Sequence, residues 1–133
     1  MLSNFSFHHV GYATKSIEKT SKVFQELGYT ISDTSFDTLQ HVKIALLKKK
    51  DSPQIELVEM IDETSPVSKI LEKNGVTTYH VCYEVQDIEL AIAELRKQKF
   101  VLLFNPVVAV ALDNRLICYL FHKDVGLIEL LQK

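Results

Sequence analysis

One string occurs twice in this chain. It reads His9-Val10-Gly11-Tyr12-Ala13-Thr14-Lys15-Ser16-Ile17-Glu18 and returns as His80-Val81-Cys82-Tyr83-Glu84-Val85-Gln86-Asp87-Ile88-Glu89. A second echo closes each copy: Ile55-Glu56-Leu57-Val58, then Ile128-Glu129-Leu130-Leu131. A shift of 71 residues carries His9 onto His80, and a shift of 73 carries Glu56 onto Glu129. A self-match at a nearly fixed period dictates architecture more strongly than any local propensity. Two copies of one unit follow, about residues 6–61 and 77–132. Each opens on a histidine and closes on a glutamate.

The local pattern gives each unit the same element order. Residues 7–13 alternate and are rich in β-formers, so they read as a strand. Ser16 caps a helix with Ile17, Thr20, Phe24 and Leu27 at helical spacing and Val23 beside them, and Gly28 stops it. Strands follow at 29–36, 40–47 and 54–60. A link at 62–76 carries a short helix, with Thr64 or Ser65 as cap and Pro66 at its first position. In the second unit, 79–85 is a strand and Asp87 caps a helix striped by Ile88, Ala91, Ile92 and Leu95. Residues 100–104 start a strand that Pro106 breaks. Asp113-Asn114 make a turn, and strands follow at 116–121 and 127–131. The class is α+β, built from two β-α-β-β-β units. No interdomain linker is evident, so residues 1–133 read as a single domain.

Bulk properties remove several functions. With 133 residues, 47% hydrophobic, the chain can bury a real core. A formal net charge of −2, with Lys48-Lys49-Lys50 as the one basic run, argues against nucleic acid as a partner. No apolar run is long enough for a membrane span, and Met1-Leu2-Ser3-Asn4-Phe5 lacks the features of a signal peptide. A cytoplasmic location is the expectation. Cys82 and Cys118 lie in apolar strand-like runs and read as buried free thiols.

The four repeated polar residues are the candidate site. Side chains alternate along a strand, so Ile55 and Leu57 face the helices while Glu56 and Val58 face away. The same alternation separates Ile128 and Leu130 from Glu129 and Leu131. His9 shares its face with Gly11, and His80 with Cys82. A carboxylate on a partly apolar face is costly unless it is paired or bound to a cation. Imidazole nitrogen and carboxylate oxygen together suit divalent first-row metals. Duplication alone could also repeat these residues without any function. Yet Gly11 has become Cys82, Ala13 has become Glu84 and Ser16 has become Asp87, while the His and Glu positions persist.

These residues carry a family resemblance. The paired units with His-Val-Gly and Ile-Glu-Leu closures resemble the vicinal oxygen chelate (glyoxalase/bleomycin resistance/dioxygenase) superfamily from about residue 7 to residue 131. The strings His8-His9-Val10-Gly11-Tyr12-Ala13, Ser65-Pro66-Val67-Ser68-Lys69-Ile70-Leu71 and Gly126-Leu127-Ile128-Glu129-Leu130 are most similar to the branch of glyoxalase I and methylmalonyl-CoA epimerase. The resemblance implies a mixed sheet curled around a metal-binding cleft. It puts the metal ligands at His9, Glu56, His80 and Glu129, with a divalent ion such as nickel, cobalt or zinc as cofactor. It also implies a homodimer, a thiol adduct or thioester as substrate, and proton transfer next to a carbonyl, with Glu129 and Glu56 as the bases.

The branch contains more than one reaction. A glyoxalase I-like lyase, isomerising a thiol hemithioacetal of a 2-oxoaldehyde, needs no residue that this chain lacks. The epimerase alternative uses a further glutamate where Lys43 stands, and tends to carry Gln where Glu56 stands. A non-catalytic binder of small molecules is the third reading. Lys43 and Arg115 are candidate substrate-binding residues. His8, His41 and His122 have no echo as ligands and read as structural or surface histidines, while Tyr12 and Tyr83 line the site or pack in the core.

Overall fold

The structure, a computed structural model, describes residues 4–133. Residues 1–3, part of the segment read for a signal peptide, lie outside it. The chain is α+β and divides into two compact units. One is residues 9–79; the other combines His80–Lys133 with the residues up to His8.

The first unit runs β1 (Ser6–Thr14), α1 (Ile17–Glu26), β2 (Thr30–Ile31), β3 (Ser35–Asp37), β4 (Val42–Lys48), β5 (Ile55–Met60) and α2 (Ser68–Asn74). Its strands order as β2-β4-β5-β1, with β3 also on β4. β4 and β5 form an antiparallel pair, whereas β5 lies parallel to β1 with Gly11 opposite Glu56. Parallel neighbours cannot be joined by a tight turn. Here α1 and the strands after it make the crossover.

The second unit repeats this plan. It runs β6 (Thr77–Val85), α3 (Ile88–Lys97), β7 (Val101–Leu102), β8 (Val107–Ala109), a 3₁₀ turn (Val110–Leu112), β9 (Arg115–His122) and β10 (Gly126–Gln132). The strand order is β6-β10-β9-β7, with β8 on β9. β10 lies parallel to β6, with Cys82 opposite Glu129.

Helices α1 and α3 are each held by a side-chain cap and by the closing strand of their unit. Ser16 Oγ accepts from the Lys19 N–H, and Asp87 Oδ1 from the Leu90 N–H, as the sequence pattern predicts. Such a cap satisfies one of the donors a helix leaves unpaired at its start. Another donor is met from further away. The Ile17 N–H donates to Glu59 Oε1 at 2.7 Å, and the Ile88 N–H to Gln132 Oε1 at 2.8 Å. At the end of α1 the Tyr29 and Gly28 N–H groups bond back to Phe24 and Gln25, and Gly28 takes φ +96°. Glycine adopts that left-handed geometry without strain.

Packing follows the strand alternation. Ile55 and Leu57 join Ile17, Ala45 and Leu47 in one core. Leu130 joins Leu120, Cys118, Val85 and the α3 stripe of Ile88, Ala91, Ile92 and Leu95 in the other. Tyr12 packs edge-on against Phe24, and Tyr83 against Phe5 and Phe7, so both repeated tyrosines belong to the cores. Both cysteines are free and buried. Burial pushes the Cys118 thiol up to about 12, helped by the Glu129 and Glu89 charges.

Three expectations need correction. Val23 and Leu27 of α1 are 63% and 56% exposed; the buried face is Ile17 and Ser21. The strand expected at 29–36 is two pieces, Thr30–Ile31 and Ser35–Asp37; Ser32 between them donates its N–H to the Leu46 carbonyl and accepts the Leu46 N–H on its Oγ. The link helix begins after Val67, with no side-chain cap. Ser65 Oγ is spent instead on the Ile61 N–H and the His41 carbonyl.

Replacing Leu130 by Ala deletes atoms from the centre of a fully buried cluster. It is expected to destabilise the chain by ~2–5 kcal/mol. Val23→Ser, on the exposed face, should stay within ~0.5 kcal/mol. Urea denaturation midpoints read both.

Candidate metal-binding residues

Parallel pairing gives each unit the same polar feature. In the first unit Gly11 faces Glu56 across the β1–β5 ladder, and His9 lies two residues back on the same face as Gly11. A histidine and a glutamate therefore meet on a diagonal. His9 Nε2 is 3.5 Å from Glu56 Oε1, and both side chains are almost fully buried. Across β4, Leu46 stands opposite Glu56.

The second unit builds the pair the same way. Cys82 faces Glu129, and His80 lies two residues back. His80 Nε2 is 3.2 Å from Glu129 Oε1, again with both groups buried. Here the residue opposite Glu129 on β9 is Tyr119. Its ring meets His80 edge-on at 5.3 Å, and Phe104 packs against it at 5.7 Å. The structure thus brings His9 together with Glu56, and His80 together with Glu129. Each pair offers one imidazole nitrogen and one carboxylate, donors that suit a divalent first-row ion.

The two residues expected to bind substrate are placed differently. Lys43 faces Glu59 across β4–β5, on the side of Ala45 and Leu47, so it points away from the face that carries Glu56. Its Nζ is 3.2 Å from Glu59 Oε2 and 5.6 Å from the centre of the Phe36 ring. The structure does not bring it to the His9–Glu56 pair. Arg115 lies on the same face of its unit as Tyr119, which stands opposite Glu129. Its guanidinium donates to Glu84 and to the Gln132 carbonyl, so its charge is already matched. The Arg115 hydrogen bond holds the Glu84 carboxyl below its usual range, against the cost of burial.

The remaining histidines lie elsewhere on the strands and the link. His8 is half-buried on β1. His122 Nδ1 accepts from the Asp124 N–H, and its ring packs on Phe100. His41 Nε2 sits 2.9 Å from Asp62 Oδ2 at the exposed start of the link.

Comparison with known proteins gives the family. Residues 8–119 match the model of the Glyoxalase/Bleomycin resistance protein/Dioxygenase superfamily. The chain belongs to that superfamily. Among curated members it is 28% identical to the mitochondrial methylmalonyl-CoA epimerase of Mus musculus, over 94% of this chain and 71% of that one. It is 27% identical to the ethylmalonyl-CoA/methylmalonyl-CoA epimerase of Cereibacter sphaeroides, over 94% and 96%. Among solved structures, methylmalonyl-CoA epimerase from Mycobacterium tuberculosis superposes with a TM-score of 0.86 at 27% identity, covering 99% of this chain and 92% of that one. No helix among the described residues is long and apolar enough to cross a membrane.

Within this superfamily member, sequence reasoning missed Glu59, Gln132 and Tyr119. The first two carried a signal: the shift that relates Glu56 to Glu129 also relates Glu59 to Gln132. Tyr119 carried none, since Leu46 occupies its place in the other copy.

The link supplies a pH test. Hydrogen bonds from the Thr64 side chain, then from His41 and the Thr64 N–H, lower Asp62 from 3.8 to about 2. A depressed folded-state carboxylate stabilises above its unfolded value and loses that stabilisation as pH falls through the folded one. Asp62→Asn should therefore flatten the loss of stability between pH 4 and pH 2, with Tm measured against pH as the readout.

Proposed function

We propose that the chain is a metal-dependent epimerase of a 2-substituted malonyl-CoA thioester, of the methylmalonyl-CoA epimerase kind. The observation that carries this reading is the buried His–Glu pair built at the same register in both units. The curated relatives named above, which are epimerases, give it its substrate class. They reverse the order reached from sequence, where hemithioacetal chemistry stood ahead of epimerisation.

In this reading His9, Glu56, His80 and Glu129 together ligate one divalent ion. Two carboxylates offset a dication's charge, and four protein donors leave positions open for a substrate. The ion would supply Lewis-acid stabilisation of the oxygen charge that develops when the carbon next to a thioester loses its proton. The chain's own part is to hold and move that proton. Glu129 would take that proton as general base, and after it passes to Glu56 that residue would return it to the carbon as general acid. Burial of both carboxylates keeps bulk water from competing for the proton. Lys43, turned toward Glu59, takes no part in the transfer.

The test is a side-by-side assay after chelator treatment and reloading with Co²⁺, Ni²⁺ or Zn²⁺. Methylmalonyl-CoA in D₂O should take up deuterium at C2 and change configuration, while the methylglyoxal–glutathione hemithioacetal should not turn over. No exchange with any ion would sink the epimerase reading, and turnover of the hemithioacetal alone would restore the lyase. Glu129→Gln keeps the shape and removes the base, and is expected to lower exchange by ~10²–10⁴-fold. Unchanged exchange in that variant would remove Glu129 from the role.

A further inference from the structure

The two His–Glu pairs are built alike, but the residue facing each glutamate from the neighbouring antiparallel strand differs. Opposite Glu56 stands Leu46, and opposite Glu129 stands Tyr119. The Tyr119 ring meets the His80 imidazole at 5.3 Å with an interplanar angle of 80°. Phe104 packs on Tyr119 at 5.7 Å and 63°, so the tyrosine ring has a second aromatic neighbour. Tyr119 is only 9% exposed. An imidazole ring can rotate about its own side-chain bonds, and a ligand histidine must present one nitrogen in one direction. An edge-on aromatic contact at this spacing is favourable in one ring orientation and lost in others.

We propose that Tyr119, packed against Phe104, is a positioning residue that fixes the plane of His80 before metal arrives. This rests on the metal reading above. In this proposal the action lies in the packing of the ring. A phenylalanine would therefore serve and a leucine, the residue of the other copy, would not.

The test uses the full chain, stripped of metal and titrated with Ni²⁺ by calorimetry. Tyr119→Leu is expected to weaken nickel binding about 10–100-fold, the range typical of lost outer partners of a ligand. Tyr119→Phe should keep the parental affinity, and Phe104→Leu should weaken it in the same direction by loosening the brace. In the metal-free protein the ring-proton NMR shifts of His80 should change in Tyr119→Leu and stay in Tyr119→Phe. Should Tyr119→Leu fail to fold, Phe104→Leu and Tyr119→Phe decide the matter. Parental affinity in both leucine variants overturns the proposal, as does a Tyr119→Phe variant as weak as the leucine one. If the parent chain binds no nickel, the metal reading fails and this inference fails with it. A parent that binds while the variants behave alike sinks this inference only.

Discussion

The two buried His–Glu pairs depend on parallel pairing between the first and last strands of each unit. In a parallel ladder, residues aligned across the pair present side chains on the same face. Aligning Gly11 with Glu56, and Cys82 with Glu129, leaves each upstream histidine on a diagonal from the glutamate. A slip of one residue would send the carboxylate to the helix side, among Ile55, Leu57 and Leu130. Four buried ionisable side chains are expensive to keep from water, and this chain carries that cost twice, at the same register.

The register is defended from both ends. Glu59 and Gln132 lie three residues beyond the glutamates and accept the first N–H of α1 and α3. Each closing strand is thereby tied to the helix that covers it. The helices in turn press apolar side chains onto the faces opposite the glutamates. The polar diagonal and the apolar core are two faces of one strand, and neither can shift without the other.

The copies have diverged around a common frame. Glu59 is negative and draws Lys43, whereas its counterpart Gln132 is neutral and Arg115 pairs with Glu84 instead. Leu46 and Tyr119 divide the surroundings of the two glutamates in the same manner. Unequal surroundings suit a reaction in which two carboxylates perform different halves of a proton transfer.

By itself the sequence determined the repeat, the α+β class, the caps at Ser16 and Asp87, and which side of each closing strand is polar. These are local or periodic properties, carried by residue spacing of two or 3.6 and by self-similarity. It also singled out His9, Glu56, His80 and Glu129, because repetition marks positions that drift has spared. Only the tertiary structure decided what each side chain meets. Lys43 turned out to face Glu59, Arg115 to be matched by Glu84, and the Ser65 hydroxyl to brace the His41 carbonyl rather than cap a helix. Tyr119 became visible only through its contact with His80, from a strand nearly forty residues away in sequence. Contacts between distant strands follow from register and packing, and no local pattern encodes them.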